Sequence, residues 1–259
     1  MSMEQSNVEE SMLKAERHQI ILEELKLFHR VKSSSLCKRF QVSEDTIRRD
    51  LNELAEKGHL KKVHGGAVTL NFIPGFKKRE VQEINIKHEI AQKALKLIKD
   101  DQVLIIDGGT SNLQLVNILP RNLHLTIFTN SIPLANKICE YENIDGFLIG
   151  GNILKKGLVA LGQNAIDTLK EIQADICFLG LTNLHTELGL TEANQEETYL
   201  KKVIIQSSDL VVSMMVSNKL GSNRHFKVAP IEALDILVTE LDADDEKLKP
   251  YAARGIEII

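Results

Sequence analysis

The stretch VSEDTIRRDLNELAEKGHLKKVHGGAV, residues 42–68, decides how the N-terminal part of this chain folds. Ser43 stands before Glu44 and Asp45, and the apolar residues that follow, Ile47, Leu51 and Leu54, recur at spacings of four and three. That is a serine-capped helix with one inward stripe and with acids in its first turn, where the helix dipole favours them. Gly58 stops it. HLKKVHGGAV is too short for another helix and reads as a basic hairpin turning at Gly65-Gly66. Upstream, ERHQIILEELKLFHR reads as a first helix, with Ile20, Ile21, Leu25 and Phe28 near helical spacing. SSSLCKRF reads as a second, capped by Ser33 or Ser34, with Leu36 and Phe40 inward, and QVS is a tight connection. Three short helices, a tight turn before the last and a basic hairpin make a winged helix-turn-helix over residues 13–68.

In such a unit the third helix lies in the DNA major groove. With Ile47, Leu51 and Leu54 inward, Asp45, Thr46, Arg48, Arg49 and Asn52 project from the other faces. An arginine there can donate two bonds to guanine or hold a phosphate. Ser43 flanks this helix. Lys61, Lys62 and His64, with Gly65 and Gly66, are placed to meet the DNA backbone or minor groove. The competing reading makes Arg48 and Arg49 a solvated helix face, paired with Asp45 or Asn52. The cap, spacing, stop and hairpin together favour double-stranded DNA as the partner. So does charge: residues 13–68 carry 12 Lys and Arg against 8 Asp and Glu, on a chain of net charge −4. A basic head on an acidic body suggests two jobs, the head's partner being a polyanion.

The 259 residues suit a small domain plus a larger one, and 43% hydrophobic residues predict a proper core. With no Trp and 4% aromatic residues, a site stacking several rings on bases or sugars is not expected. Cys37, Cys139 and Cys177 are far apart and read as reduced, mostly buried thiols. No metal cluster and no cofactor motif is legible. Residues 1–12, polar and acidic, read as a disordered tail rather than a signal peptide, and no apolar run is long enough to span a bilayer. A soluble, cytoplasmic protein without a membrane partner is expected.

Residues 69–86, with Pro74, Gly75 and a run of Lys and Arg, read as a linker into a helix over roughly 86–98. From 87 to 259 short apolar runs alternate with helical segments: QVLIID, LTIFT, GFLIG, DICFLG, DLVVSMM, DILVTE and GIEII. The class is therefore α/β, a Rossmann-like, mostly parallel sheet covered on both faces behind an N-terminal winged helix. LIIDGGTSNLQLVNILP is a strand, a glycine loop and a helix. Backbone amides at such a helix start, with Asp107, Gly108, Gly109, Thr110 and Ser111, form an anion site, although the same pattern also serves as a plain strand-to-helix turn. Two further strand ends are polar or glycine-rich: Thr129, Asn130 and Ser131, then Gly150 and Gly151. Ligands of open parallel sheets bind at the carboxyl ends of strands, so one shared small-molecule pocket is expected.

Residues 42–68 closely resemble the N-terminal signature of DeoR-family bacterial transcriptional regulators, in Ser43, Thr46-Ile47-Arg48-Arg49-Asp50-Leu51 and His64-Gly65-Gly66-Ala67. The resemblance extends over nearly the whole chain. It implies an effector domain like ribose-5-phosphate isomerase and CoA-transferase folds, sensing a phosphorylated sugar or related metabolite. It also implies repression of sugar or carbohydrate metabolism genes and a homo-oligomer. The Asp-x-Gly-Thr loop matches Asp107 to Ser111, the Thr-Asn-Ser strand end Thr129 to Ser131, and the double glycine Gly150 and Gly151. A further family stretch matches Gly189 to Thr191, Asn194, Glu196, Glu197 and Lys201, and a later lysine matches Lys219. On the residues alone, Lys219 also reads as a surface ion pair, and Glu196 and Glu197 as a solvated helix start. Two family aspartates are replaced, at Thr182 and Val216, which leaves the phosphate half of the pocket intact and alters the sugar half. The rival reading is an enzyme, a sugar-phosphate isomerase or acyl transferase with an accessory head. It would need a positioned base such as Asp107 or Glu197. No catalytic role is expected. A purely structural DNA-bridging protein would leave the anion loop unexplained.

Overall fold

The computed structural model describes residues 13–28, 30–69 and 74–259 and divides between residues 73 and 74 into two compact units. The expected tail, 1–12, and positions 70–73 of the expected linker lie outside the described residues.

The N-terminal unit runs α1 (Lys14–Phe28), β1 (Arg30–Lys32), α2 (Ser33–Phe40), α3 (Glu44–Glu56), β2 (Lys61–Val63) and β3 (Gly66–Val68). Ile21, Leu25, Leu36, Phe40, Ile47, Leu51 and Leu54 close its core, the stripes that the spacing predicted. Phe28 departs from that prediction: at 67% exposed it lies at the end of α1, outside the core. Strand β1 was not foreseen. It pairs antiparallel with β3, giving a sheet in the order β1-β3-β2. The hairpin turns one residue earlier than expected, at His64-Gly65, with Gly65 at φ +75°. Gly66 is buried in β3, and a Cβ there would stand 2.0 Å from the carbonyl oxygen of Val31. Only glycine lets β1 approach this closely.

The C-terminal unit begins with α4 (Phe76–Glu80) and α5 (Ile84–Leu95), then β4 (Gln102–Ile106), α6 (Thr110–Asn117), β5 (Leu125–Thr129), α7 (Ile132–Ile138) and β6 (Ile144–Leu148). There follow β7 (Asn152–Leu154), β8 (Val159–Leu161), α8 (Gln163–Lys170), β9 (Ala174–Phe178), β10 (Asn183–His185), β11 (Gly189–Glu192) and α9 (Gln195–Gln206). β12 (Ser208–Met214), β13 (Phe226–Ala229), β14 (Ile236–Val238), α10 (Lys249–Ala252) and β15 (Glu257–Ile258) complete it. All seven apolar runs become strands of one sheet, ordered β15-β14-β12-β9-β4-β5-β6 and parallel throughout. Strand periodicity splits each run between two cores: Leu104 and Ile106 pack with α5 and α6 residues such as Ile90 and Leu115, whereas Ile105 joins Ala165 and Leu200 of α8 and α9.

The expected linker over 69–86 needs correcting. Phe76 is 2% exposed inside the first of these cores, and its amide donates to the carbonyl of Lys156 at 2.9 Å. The basic run around it belongs to a helix of the C-terminal unit. Cys177 is buried, Cys37 half-buried and Cys139 exposed, all three free thiols. The expectation of mostly buried thiols thus fails at Cys139. No described helix is long and apolar enough to cross a membrane.

Candidate functional site

In the N-terminal unit Ser43 caps α3, its Oγ accepting from the amide of Thr46 at 3.2 Å and lying 2.8 Å from Thr46 Oγ1. Arg48 and Arg49 are largely exposed, at 66% and 76%, and both contact the Asp45 carboxylate, each at 2.6 Å. Hydrogen bonding from Arg48, then the Arg49 charge, holds the Asp45 carboxyl below its ordinary pKa. The guanidiniums are solvent-facing and paired with Asp45 on one turn, as the solvated-face reading expects. Lys62 of the wing donates to Asn52 Oδ1 at 2.6 Å, tying the hairpin to α3. Lys61, His64 and Gly65 are exposed, and Gly66 is a packing glycine rather than a surface one. Asp50, which the spacing left without a role, is 2% exposed and accepts from Arg17 of α1 at 2.8 and 3.2 Å, with His18 Nε2 at 3.2 Å. It fastens α3 to α1.

In the C-terminal unit the strand order reverses at β4: β5 and β6 lie to one side, β9, β12, β14 and β15 to the other. At such a switch point the loops beyond adjacent strands part and leave a crevice. A cleft opens there, lined by Gly108 to Asn112 after β4, Gly180 to Thr182 after β9, Met214 and Lys219 at and beyond the end of β12, Glu192, Glu197 and Lys201, and Arg79 of α4. The backbone alone forces part of this shape. A Cβ on Gly180 would stand 2.0 Å from the Gly108 carbonyl oxygen, and one on Gly108 would stand 2.2 Å from Val159 Cγ1. No side chain caps α6, and the residues of its first turn line the cleft, where uncapped amides are donors suited to an anion.

Asp107 lies beneath this loop instead of facing a ligand. It is 3% exposed, its Oδ1 accepts from the Gly108 amide at 2.7 Å, and its Oδ2 from Lys201 Nζ at 2.6 Å and the Gly180 amide at 3.2 Å. Lys201 also donates to the Gly180 carbonyl and lies 3.6 Å from Glu192. Burial pulls the Lys201 pKa down, but Asp107, Glu192 and Glu197 more than offset it, so the amine stays firmly charged. Asn112 Nδ2 closes the floor on the carbonyls of Asp107 and Phe178, at 2.7 and 2.8 Å.

Of the residues singled out in the sequence, Gly108, Gly109, Thr110, Ser111, Thr182, Glu197, Lys201 and Lys219 line the cleft. The rest do not. Thr129 donates to the Ile106 carbonyl at 2.6 Å, and Thr129, Asn130 and Ser131 are buried where β5 meets β8. Gly151 stands so close to Leu161 that a Cβ would lie 2.2 Å from its carbonyl oxygen; Gly150 beside it does not line the cleft either. Asn194 caps α9, accepting from the Glu197 amide at 3.0 Å. Thr129 and Asn194 thus spend their side chains on the main chain, whereas Asn130 Oδ1 and Ser131 Oγ are buried with no hydrogen-bond partner among the described residues.

The surface-pair reading of Lys219 fails: it is half-buried on the cleft wall. Desolvation, then the neighbouring charges of Arg79 and Lys87, lowers its pKa to about 8. Desolvation raises Glu197 to about 7, with Glu192 and Asp107 adding to it and Lys201 opposing. Arg79 and Glu192 went unnoticed in the sequence. The one signal for Arg79 was an apolar Phe76 inside an apparent linker. For Glu192 there was none. Its carboxylate accepts from Thr182 Oγ1 at 2.9 Å and from the Thr182 amide at 3.3 Å. A carboxylate therefore does stand beside position 182, supplied from β11.

A winged helix-turn-helix joined to a parallel α/β unit with a cleft of hydrogen-bond donors is the plan of a DNA-binding transcriptional regulator with a ligand-sensing domain. Residues 17–71 match the DeoR-like helix-turn-helix domain and residues 82–241 the DeoR C-terminal sensor domain. The chain belongs to the DeoR family. It is 31% identical to the uncharacterized HTH-type transcriptional regulator YulB of Bacillus subtilis over 95% of this chain and 96% of that one. It is 30% identical to the HTH-type transcriptional repressor GlcR of the same organism over 96% of each chain. The glycerol-3-phosphate regulon repressor of Escherichia coli is 29% identical over 88% of this chain and 92% of its own. Among solved structures, ribose 5-phosphate isomerase A of Methanocaldococcus jannaschii is similar with a TM-score of 0.39 and 20% identity, over 54% of this chain and 55% of that one.

Proposed function

We propose that this DNA-binding regulator is a repressor of carbohydrate genes, released or tightened by a phosphorylated metabolite in the cleft. The observation that carries this is the mixed lining of the cleft. The uncapped start of α6, Arg79 and Lys219 supply donors and cations, and Glu192, Glu197 and Thr182 supply polar oxygens. The first set suits a phosphate and the second the hydroxyls of a polyol. Relatives named for a glycerol-3-phosphate regulon and as the repressor GlcR fit that chemistry. The heads of at least two chains would grip repeated half-sites through Arg48 and Arg49, which requires an oligomer.

Of the two bases the enzymatic reading could use, Asp107 is buried beneath the loop on Lys201 and only Glu197 lines the cleft, while the relatives are named as transcriptional regulators. We infer a sensor without turnover. The deciding experiment is a thermal-shift screen of the full chain against phosphorylated sugars and their unphosphorylated counterparts. A ligand at about a hundred times its Kd should add about 2.7 kcal/mol of apparent stability. At least one phosphorylated compound should raise Tm, its parent sugar should not, and Lys219→Gln should reduce the shift at the same ligand concentration. Equal shifts from both forms, or steady consumption of the sugar phosphate, would overturn the reading.

A further inference from the structure

The helix that follows the junction between the two units is itself a wall of the cleft. The chain enters the C-terminal unit at Pro74, and α4 begins two residues later. Five residues of helix have little stability of their own, so α4 is held by what touches it. At its start Phe76 is buried and its amide is bound to Lys156. Toward its end Lys87, 3% exposed, donates to the Arg79 carbonyl at 2.6 Å. Between these anchors the Arg79 side chain reaches over the Phe76 ring, 6.0 Å from its centroid, into the cleft. Its Nε is buried and has no hydrogen-bond partner among the described residues. Burial lowers its pKa, and the charges of Glu197 and Glu192 act in the opposite direction. A buried donor without an acceptor is costly, and the missing acceptor faces the same space as the free amides of α6.

We propose that Arg79 is the residue through which the cleft reports its occupancy to the DNA-binding unit. An anion at the start of α6 takes the guanidinium as a forked partner and so clamps α4, the first helix after the connecting segment. Without the anion, α4 keeps its anchors at Phe76 and Lys87 but lacks the forked one. A ligand shifts a conformational equilibrium only through unequal affinity for its two states. Arg79 supplies the inequality: it is the cleft residue carried by the segment joined to the head. This rests on the anion-binding reading above and adds the route by which binding acts.

The test uses the full chain, inorganic phosphate as probe and chloride at matched ionic strength as control. Three things are measured: thermal stabilisation, amide exchange in residues 77–82, and affinity for a DNA site enriched from a random pool. In the unaltered chain, phosphate should raise Tm, slow exchange in α4 and change DNA affinity by on the order of 5-fold or more. Arg79→Gln should keep a reduced Tm shift, through Lys219 and α6, yet show neither the slower exchange nor the DNA response. Arg79→Lys keeps the charge and loses the fork; it should be intermediate, and it carries the test if the glutamine variant does not fold. Lys219→Gln should need more phosphate but reach the same α4 protection at saturation. If α4 protection and the DNA response survive in the Arg79 variants, the inference is overturned while the anion site stands. If phosphate leaves the unaltered chain unchanged in Tm and exchange, the anion site falls and this inference with it.

Discussion

Lys201 Nζ lies 2.6 Å from Asp107 Oδ2, with 5% and 3% of the two side chains exposed. The contact joins α9 to the loop after β4 across 94 positions of chain, and Glu192 shares the same amine. Removing the lysine strands two carboxylates in a dry site. Lys201→Met should therefore destabilise the C-terminal unit by about 3–5 kcal/mol, read from denaturant unfolding. An unchanged midpoint would mean that the pair is dispensable.

Glu197 titrates in an unusual place. Burial lifts its pKa from 4.5 to about 7. Between those values the unfolded chain has already released the proton that the folded chain retains. Stability contributed by this group thus falls as pH rises from about 4.5 to about 7 and is level above. Glu197→Gln should flatten that part of the stability profile, measured as the difference from the unaltered chain. Parallel profiles would show that Glu197 stays charged throughout.

On α3, Asp45 holds both of the guanidiniums that we propose meet DNA. Arg48→Ala and Arg49→Ala should each cost about 1–3 kcal/mol at a base contact, or lower the salt slope by about 1 at a phosphate contact. Asp45→Asn should tighten binding to random-sequence DNA at low salt, because both arginines are freed and a repelling charge is gone. Fluorescence anisotropy across a salt series separates these outcomes. Weaker random-sequence binding by Asp45→Asn would mean that Asp45 orients the arginines instead.

Asp50 predicts a different kind of loss. Asp50→Ala leaves Arg17 without its buried carboxylate and should destabilise the N-terminal unit by about 3–5 kcal/mol. DNA binding would be lost by unfolding, with the ligand-dependent Tm shift of the C-terminal unit retained. Proteolysis confined to the N-terminal unit would show it.

Thr182 and Glu192 act together. Thr182→Val removes the 2.9 Å bond to the carboxylate and should cost about 1–3 kcal/mol. Thr182→Asp should be worse, because it sets a second negative charge against a buried one. If Thr182→Asp proves more stable than the parent, the charge argument fails.

The parallel sheet was readable in the residues because each central strand is a near-continuous apolar run, which only a strand covered on both faces needs. Short β10, β11 and β13, and the β7–β8 pair, mix polar and apolar positions and carry no such mark. The head was readable because its cap, stripe and stop fall at fixed offsets. The cleft was half readable. A glycine loop before a helix announces itself, but nothing local says that Asp107 points down toward a lysine 94 residues away, or that Asn194 spends its carbonyl on capping. Arg79 was hidden by charge: Lys77, Lys78 and Arg79 look like a solvated tether until Phe76 is seen buried.

A side chain on Gly180 would run into the Gly108 carbonyl, and one on Gly108 would run into Val159. Anyone re-engineering this sensor for a new inducer therefore inherits a rigid pair of loops that must be kept together. Diversity is better introduced at Leu181, Thr182 and Glu192, where side chains rather than main chain shape the wall. A library randomised across both glycines would return mostly misfolded clones, whatever metabolite it was selected against.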